Sequence, residues 1–268
     1  MKNAKRILAL VMAVVLCFAL AACGKGADKD TQKTDLDYVK ENGKLVVGIT
    51  DFEPMDYKDK DGNWIGFDAE MATAFAKSLG VEVEFVEIEW DSKIAELDGK
   101  SIDCVWNGMT LTDEVKSGME CSAPYCNNAQ VVIVKASVAD KYQTKESLAD
   151  LNFAVESGSA GMKEVKALNL KFTEVKDQAT ALMEVKSGTA DAAVIDALMA
   201  AAMVGEGTDY VDLTYTVGLN SEEYGVGFRK GSNLAEELNK FFKAAYADGT
   251  LQKCAEKYKI QASLIEQK

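Results

Sequence analysis

From Lys44 onward, hydrophobic and polar residues follow two alternating patterns. Short apolar runs such as residues 45–50 (LVVGIT) predict buried strands, and residues 81–88 alternate apolar and polar positions, which predicts a half-exposed strand. Residues 67–79 place apolar side chains at helical spacing and are followed by Gly80, a common helix terminator. Alternation of strands and helices is typical of an α/β protein with a largely parallel sheet.

The same plan occurs twice along the chain. Residues 94–106 (IAELDGKSIDCVW) and residues 182–195 (LMEVKSGTADAAVI) both run from an amphipathic helix through Gly and Asp into a buried strand. This weak internal similarity indicates two lobes of like design. The second copy comprises predicted strands at 153–155, 171–175 and 190–195 and predicted helices at 158–168 and 177–186.

Two β-rich segments, residues 130–135 (QVVIVK) and 224–229 (YGVGFR), connect the predicted lobes. We expect residues 41–131 and 225–268 to form the first lobe and residues 132–224 to form the second. A chain that leaves one lobe, builds the other and returns places two extended strands side by side as a hinge, with a closable cleft between the lobes. The alternative is two independent domains in tandem, although the C-terminal tail is too short for a third.

The first 22 residues have the features of an export signal. Three basic residues precede fourteen apolar residues, 7–20, a run too short for a comfortable membrane span. Small residues before Cys23 resemble a bacterial lipobox, in which the cysteine is lipidated and becomes the new N-terminus. The alternative is secretion with cleavage near Ala22. We expect residues 23–40 to be a lipidated tether and the protein to be extracytoplasmic, held at the cell membrane by its lipid.

Charge and composition exclude several classes of function. Removal of residues 1–22 takes away three of the 30 basic residues and none of the 43 acidic ones, which leaves a formal charge of −16. Such an acidic chain is a poor partner for nucleic acid or for an anionic membrane surface. The sequence has no histidine and no CxxC pair, so we predict no metal site, no cofactor and no His-based triad. Four further cysteines allow three disulfide connectivities, which stay open: Cys104, Cys121, Cys126 and Cys254.

Polar groups follow the ends of predicted strands, where open α/β sheets bind ligands. The loop after strand 102–106 reads NGMTLT, and Gly108, Thr110 and Thr112 offer backbone groups and hydroxyls suited to the polar end of a zwitterion. The alternative is that the threonine hydroxyls satisfy their own backbone in a turn.

The second lobe offers two further candidates at strand ends. A helix begins in the SGSAG segment, residues 157–161, and its free N–H groups and dipole favour an anion. Ser159 and Ala160 are therefore candidates for holding a carboxylate, and a plain helix cap is a compatible alternative. Asp196 ends strand 190–195, where a solitary Asp is otherwise a helix cap.

Several segments together resemble the polar-amino-acid branch of the bacterial extracellular solute-binding proteins of ABC importers. They are, in order, LVVGITDFEPMDYKDKDGNWIGFDAEMATAFAKSLGVEVEF, WNGMTLTDE, SAPYCNNAQVVIV, SGSAG, ADAAVIDALMA and EEYGVGFRKGS. The resemblance covers about residues 40–260 without a large insertion. It implies a two-lobed venus-flytrap fold of the α/β class, with two hinge strands and an amino acid bound in the cleft.

The resemblance also implies roles for single residues. Gly108 and Thr110 match positions that contact the backbone of the ligand, and Asp196 matches an acid that pairs with its α-ammonium group. Phe52 and Trp90 match aromatic positions that sandwich the substrate side chain, where apolar planes can also stabilise a cation. Ordinary core packing is the alternative for both rings.

Other positions fit the family pattern less closely. Asp51 adjoins Phe52 in a segment, TDFEPM, that is one residue shorter than usual. Asn107 replaces a typically small residue and is expected to add a side-chain amide to the cleft. Lys116 and Arg229 are expected to be surface or hinge charges.

Val115 stands where most relatives have an arginine that clamps the ligand carboxylate through two parallel hydrogen bonds. Three explanations are open. Lys116 replaces the arginine as a point charge, or the helix N-terminus at Ser159 and the threonines suffice, or the ligand has no carboxylate there. In the last case three acids favour an amine or a modified amino acid: Asp51, Glu53 and Asp196.

We therefore expect a binding protein, not an enzyme. It would capture a small polar solute, an amino acid in the first place, and deliver it to ABC permease subunits. One alternative is a ligand without the usual carboxylate. A second is an exported dehydratase-like enzyme on the same scaffold, with Glu53 or Asp51 as acid or base. A third is a sensory domain that presents its ligand to a membrane partner.

Overall fold

The computed structural model describes residues 33–268, so the predicted signal peptide and lipidated Cys23 lie outside the described residues. The helices are α1 Asp35–Asn42, α2 Phe67–Leu79, α3 Lys93–Asp98, α4 Asp113–Gly118, α5 Ala160–Ala167, α6 Gln178–Ser187, α7 Ala197–Met203, α8 Leu234–Ala247 and α9 Thr250–Lys257. The strands are β1 Lys44–Ile49, β2 Tyr57–Lys58, β3 Trp64–Ile65, β4 Glu82–Glu87, β5 Cys104–Val105, β6 Glu120–Cys121, β7 Cys126–Asn128, β8 Gln130–Lys135, β9 Asn152–Glu156, β10 Lys171–Val175, β11 Ala192–Asp196, β12 Leu213–Gly218, β13 Glu222–Tyr224 and β14 Gly227–Phe228.

The sheet of the first lobe has the strand order β4-β1-β5-β14-β6. Strand β1 runs parallel to β4 and β5, whereas β14 pairs antiparallel with β5 and β6. Helix α2 buries Phe67, Met71 and Phe75, which recur at helical spacing, and ends at Gly80 in the left-handed conformation. Because β14 follows the whole second lobe in sequence, the chain returns to the first lobe to complete this sheet.

The sheet of the second lobe has the strand order β10-β9-β11-β8-β12. Strand β9 runs parallel to β10 and β11, and β8 pairs antiparallel with β11 and β12. In both lobes, three parallel strands are thus followed by one strand that is antiparallel to both of its neighbours. The two-lobed α/β architecture that the sequence predicted is present.

Two short strands, β7 and β13, connect the lobes. They pair antiparallel, with Cys126 opposite Tyr224. The segments that we predicted as the hinge lie mostly elsewhere. Residues 130–135 form β8 inside the second sheet, and of residues 224–229 only Tyr224 belongs to β13, whereas Gly227–Phe228 form β14 inside the first sheet. Their continuous apolar pattern reflects burial within the sheets, whereas the true connecting strands are polar and short.

Residues 35–40, predicted as the end of the tether, belong to helix α1 instead. Thr34 caps this helix, and Asp35 accepts a hydrogen bond at 3.0 Å from Arg229. Arg229 also pairs with Asp103 at 3.0 Å and is only 7% exposed. It is therefore a buried charge that fastens α1 to the first lobe, and not the surface or hinge charge that we expected.

Two further features concern the cysteines and the helices of the described residues. All four cysteines are free, namely Cys104, Cys121, Cys126 and Cys254. Within residues 33–268, no helix has the length and apolar character needed to cross a membrane.

Candidate functional site

A cavity of about 230 Å³ lies between the two lobes, where strands of both sheets end. Thr50 follows β1 and Asn107 comes two residues after β5, whereas Glu156 and Asp196 are the last residues of β9 and β11. The fold thus gathers residues that are far apart in sequence. Nine of the ten predicted site residues line this cavity: Phe52, Trp90, Asn107, Gly108, Thr110, Thr112, Ser159, Ala160 and Asp196.

Asp51, the tenth predicted residue, does not line the cavity, and its side chain is exposed. The neighbouring Phe52 is 2% exposed. Its backbone N–H donates to the Asp56 carbonyl at 2.7 Å, and its carbonyl accepts from the Asp56 N–H at 2.9 Å. Successive side chains of an extended backbone point to opposite sides, so the inward position of Phe52 directs Asp51 towards solvent.

The side-chain amide of Asn107 is fully engaged within the protein. Its oxygen accepts from the N–H and the hydroxyl of Thr50 at 3.0 and 2.8 Å. Its NH₂ group donates to the Thr50 carbonyl at 3.0 Å and to Asp56 Oδ2 at 2.8 Å. We expected this amide to be added to the cleft, but its hydrogen bonds instead tie β1 to the loop after β5.

Gly108 shapes the wall of the cavity beside Phe52. Its φ is +52°, and a Cβ atom there would lie 2.4 Å from Phe52 Cε1, so glycine alone satisfies both the backbone conformation and the contact. The Gly108 N–H donates to Asp68 Oδ2 at 2.7 Å, and the Tyr125 hydroxyl donates to the same oxygen at 2.7 Å. Burial raises the pKa of Asp68 to about 7. The Gly108 N–H is thus committed to the protein, while its backbone position holds the ring in place.

The two threonines have different hydrogen-bond roles. Thr110 donates its hydroxyl to Glu222 Oε1 at 2.9 Å, which leaves the oxygen free to accept from a ligand N–H group. Thr112 accepts from the Val115 N–H at 3.2 Å and so caps helix α4. The turn-forming alternative therefore describes Thr112, although its hydroxyl proton is still available as a donor.

Asp196 is buried, with 3% exposure, and its carboxyl group is held by one side chain of the connecting strand β13 and one of β8 in the second sheet. Oδ2 accepts from the Tyr224 hydroxyl at 2.7 Å, and Oδ1 accepts from the Gln130 amide. The carboxyl group makes no cap bond to α7, so the helix-cap alternative does not apply. Burial, with repulsion from Glu222, raises the pKa of Asp196 to about 7 against the hydrogen bonds that lower it.

The N-terminus of α5 lines the cavity from the second lobe. Ser159 is its N-cap and accepts from the Met162 N–H at 3.0 Å, and Ala160 is its first residue. A hydroxyl cap and the positive end of a helix occupy the same place, so the cap does not remove the attraction for an anion.

Two aromatic side chains enclose the cavity from the first lobe. Phe52 is 2% exposed and meets Tyr224 edge to face, with ring centroids 6.3 Å apart. Trp90 is 8% exposed and begins a 3₁₀ turn, Trp90–Ser92, that leads into helix α3. Both rings therefore combine core packing with a face in the cavity wall, so the two roles are not alternatives here.

Two buried ionisable residues in the cavity wall escaped the sequence analysis. Glu156 is 2% exposed, and its Oε1 has no hydrogen-bond partner among the described residues. Burial, followed by the charge of Asp196, raises its pKa well above the usual range. Glu156 ends β9, so the strand-end rule that selected Asp196 could have found it. Lys93 is 7% exposed and begins α3, where a lysine in the sequence gives no sign of burial.

The charged residues of the cavity wall are balanced in number. They are the acids Glu114, Glu156 and Asp196 and the lysines Lys93, Lys163 and Lys166. Lys116 lines a neighbouring, more polar cavity instead. Within residues 33–268, no group of three or more Cys, Asp or Glu side chains is placed to hold a metal ion. The main cavity can therefore accept a small molecule that carries both signs of charge.

The chain is similar over most of its length to known amino-acid-binding proteins. It is 31% identical over 249 residues to the L-cystine-binding protein TcyJ of Escherichia coli strain K12, which covers 91% of this chain and 92% of the relative. It is 31% identical over 263 residues to the arginine-binding extracellular protein ArtP of Bacillus subtilis strain 168, with coverage of 95% and 98%.

Solved structures and a family profile agree with these similarities. The crystal structure of the P235GK mutant of ArgBP from T. maritima superposes with a TM-score of 0.79 at 34% identity, covering 84% of this chain and 98% of that one. The sequence profile of the bacterial extracellular solute-binding proteins, family 3, matches residues 45–261. The two-lobed venus-flytrap fold is thus established, and the chain belongs to the bacterial extracellular solute-binding proteins, family 3.

Proposed function

We propose that this protein captures an α-amino acid in the cavity between its lobes and delivers it to the permease subunits of an ABC importer. In this proposal Asp196 and the hydroxyl of Thr110 receive the α-ammonium group, and the N-terminus of α5 at Ser159 faces the carboxylate. Phe52 and Trp90 enclose the ligand side chain. Gly108, Thr112 and Ala160 complete the wall.

The state of Asp196 is the observation that carries the proposal. A carboxylate has about four lone-pair positions, and the Tyr224 and Gln130 hydrogen bonds occupy two of them. The side chain caps no helix, lines the cavity and is buried, so it resists ionisation until a cation arrives. An ammonium group beside Asp196 would supply that cation. The named ligands of the relatives, cystine and arginine, are both α-amino acids.

Closure of the lobes would couple capture to delivery. Contacts across the cleft already link the lobes, since Lys93 of the first lobe donates to the Gly158 carbonyl of the second at 3.1 Å. A ligand that binds both lobes stabilises the arrangement in which they meet. The pair of β7 and β13 is the proposed hinge. Because β8 belongs to the second sheet, the proposed lobes are then residues 34–125 plus 225–268 and residues 129–221, and not the boundary at 131/132 predicted from the sequence.

A thermal-shift screen of residues 24–268 tests the binding proposal. Thr34–Lys268 form one compact unit with its own core, so this shortened chain should fold alone. The panel is the twenty amino acids, L-cystine, polyamines and quaternary amines. A ligand at a hundred times its Kd should stabilise the folded chain by about 2.7 kcal/mol and raise Tm by several degrees.

The pattern of hits decides among the alternatives. Stabilisation by α-amino acids that is lost in Asp196→Asn supports the proposal. Hits only from compounds without a carboxylate would support the amine alternative, and chemical conversion of a bound compound would support an enzyme. No hit in the whole panel would contradict the proposal.

Delivery and anchoring need a cellular test. We propose that Cys23 is lipidated and holds the protein at the outer face of the cell membrane. Cells that lack the gene should lose uptake of the labelled hit, and the restored gene should return it. A Cys23→Ala variant should fail to incorporate a labelled fatty acid. Uptake that is unchanged by the deletion would contradict a role in delivery.

A further inference from the structure

Lys93 is a buried ammonium group in the wall of the cavity. It is 7% exposed, its Nζ lies 4.9 Å from the centroid of the Trp90 ring, and it donates to the Trp90 carbonyl at 2.9 Å. A second hydrogen bond, of 3.1 Å, reaches the Gly158 carbonyl on the other lobe. Lys93 thus stands where the two lobes meet, next to Ser159 and the positive end of α5.

The charge of Lys93 has no close counterion among the described residues. Its two acceptors are neutral carbonyls, which leaves one of its three N–H groups without a partner there. Burial lowers the pKa of Lys93, and the charges of Glu156, Glu114 and Asp91 oppose that shift from beyond salt-bridge distance. A buried cation in this situation gains most from an anion placed beside it.

The other positively charged groups near the cleft are less suited to this role. Val115, at the position of the usual arginine, is 3% exposed and packs among apolar side chains. Lys116 lines the neighbouring cavity. Lys163 and Lys166 line the main cavity but are exposed, so water screens their charges more strongly.

We propose that Lys93 binds the carboxylate of the amino acid, supplying from helix α3 the positive charge that Val115 does not provide. This inference rests on the proposed function and adds a residue to it. The carboxylate would lie between the Lys93 ammonium group and the N-terminus of α5, so it would contact both lobes at once. The arginine is then replaced from a different element of the chain, and not by the adjacent Lys116.

The test compares amino acids with their own carboxamides, which keep the ammonium group and the side chain but lose the negative charge. Calorimetry of residues 24–268 would use L-arginine, L-glutamine, L-methionine and L-histidine, each beside its α-carboxamide. At about pH 6.5 the α-ammonium group of every compound is largely protonated. The pair to follow is the one whose acid binds the unaltered chain most tightly.

The unaltered chain should bind the acid about 10- to 100-fold more tightly than the amide, as expected for a charge-assisted contact. Lys93→Met should abolish most of this preference by weakening the acid and not the amide, and Lys93→Arg should restore much of it. A lysine that only joins the lobes would instead weaken acid and amide equally. Lys116→Met is the matched control and should retain the full preference.

Each failure has a separate meaning. Equal affinities for the acid and its amide in the unaltered chain would overturn the role of Lys93 while leaving amine binding possible. This measurement does not depend on the folding of a variant. A ratio unchanged in Lys93→Met, or lost in Lys116→Met, would also overturn it. If no α-amino acid of the thermal-shift panel binds, the proposed function is overturned, and this inference falls with it.

Discussion

Pairing of a ligand ammonium group with Asp196, as proposed above, predicts that binding depends on pH. Burial raises this pKa from 3.8 to about 7, so the carboxyl group is largely protonated at pH 6. A protonated carboxyl group cannot pair with an ammonium group as an anion. Binding must therefore release a proton, and affinity should rise as pH rises towards and through 7.

The magnitude follows from the ionised fraction of Asp196. With a pKa of about 7, that fraction is about 3% at pH 5.5 and about 90% at pH 8, so Kd should fall about thirtyfold between these values. The raised pKa of Asp196 has the opposite effect on the stability of the ligand-free chain, which should fall as pH rises. The folded chain holds a proton between about pH 4 and 7 that the unfolded chain has released, so the contribution of Asp196 to stability declines across that window.

Isothermal titration calorimetry between pH 5.5 and 8 would measure the effect, with a hit whose side chain does not titrate in this range. Two buffers of different ionisation enthalpy would count the released protons. Asp196→Asn is the control, because Asn retains partners for Tyr224 and Gln130 but cannot ionise. It should bind more weakly and with a flatter pH profile. A constant Kd in the unaltered chain, or an equal slope in the variant, would refute this account.

Two further substitutions test the contact across the cleft at Gly158 and the buried charge of Arg229 in the first lobe. Gly158→Ala should weaken binding at least tenfold, because a Cβ there would lie 2.6 Å from Asp91 Cα across the cleft. Gly43→Ala is the control, because Gly43 has φ +70°, close to the +69° of Gly158, but open space where a Cβ atom would lie. It should share the backbone strain of about 1 kcal/mol and retain ligand affinity. Equal affinities of the two variants for the ligand would contradict the clash. Arg229→Met should lower the free energy of unfolding in urea by about 3–5 kcal/mol, since it leaves the Asp103 carboxylate buried and unpaired. A loss below about 1 kcal/mol would place that pair among surface ion pairs.

Elements that depend on a local sequence pattern could be predicted, whereas those that depend on contacts between distant segments could not. Helix α2 was predicted at residues 67–79 and occurs there, because apolar spacing and Gly80 act within one segment. The hinge was misplaced because an apolar run such as 130–135 shows that a strand is buried, but not which strand lies beside it. Pairing depends on contacts between distant parts of the chain, as with Cys126 and Tyr224.

The same distinction applies to the candidate site. Strand ends and family motifs located the cavity wall, but hydrogen-bond partners decided which groups were free. Asn107 is committed to Thr50 and Asp56, whereas Glu156, whose Oε1 has no partner within residues 33–268, was not predicted. Lys93 could not be recognised at all, since its burial results from contact with the second lobe.

The buried charges of the cleft explain why binding and closure should occur together. Glu156, Asp196 and Lys93 are all at least nine-tenths buried, and each resists its charged form because water is excluded. Closing the lobes without a bound ligand therefore has an electrostatic cost. In the proposed binding mode, a zwitterion would offset this cost at both signs of charge, through its ammonium group at Asp196 and its carboxylate at Lys93. The ligand would then bind the closed state more tightly than the open state, because it completes charge pairs that the protein alone leaves incomplete.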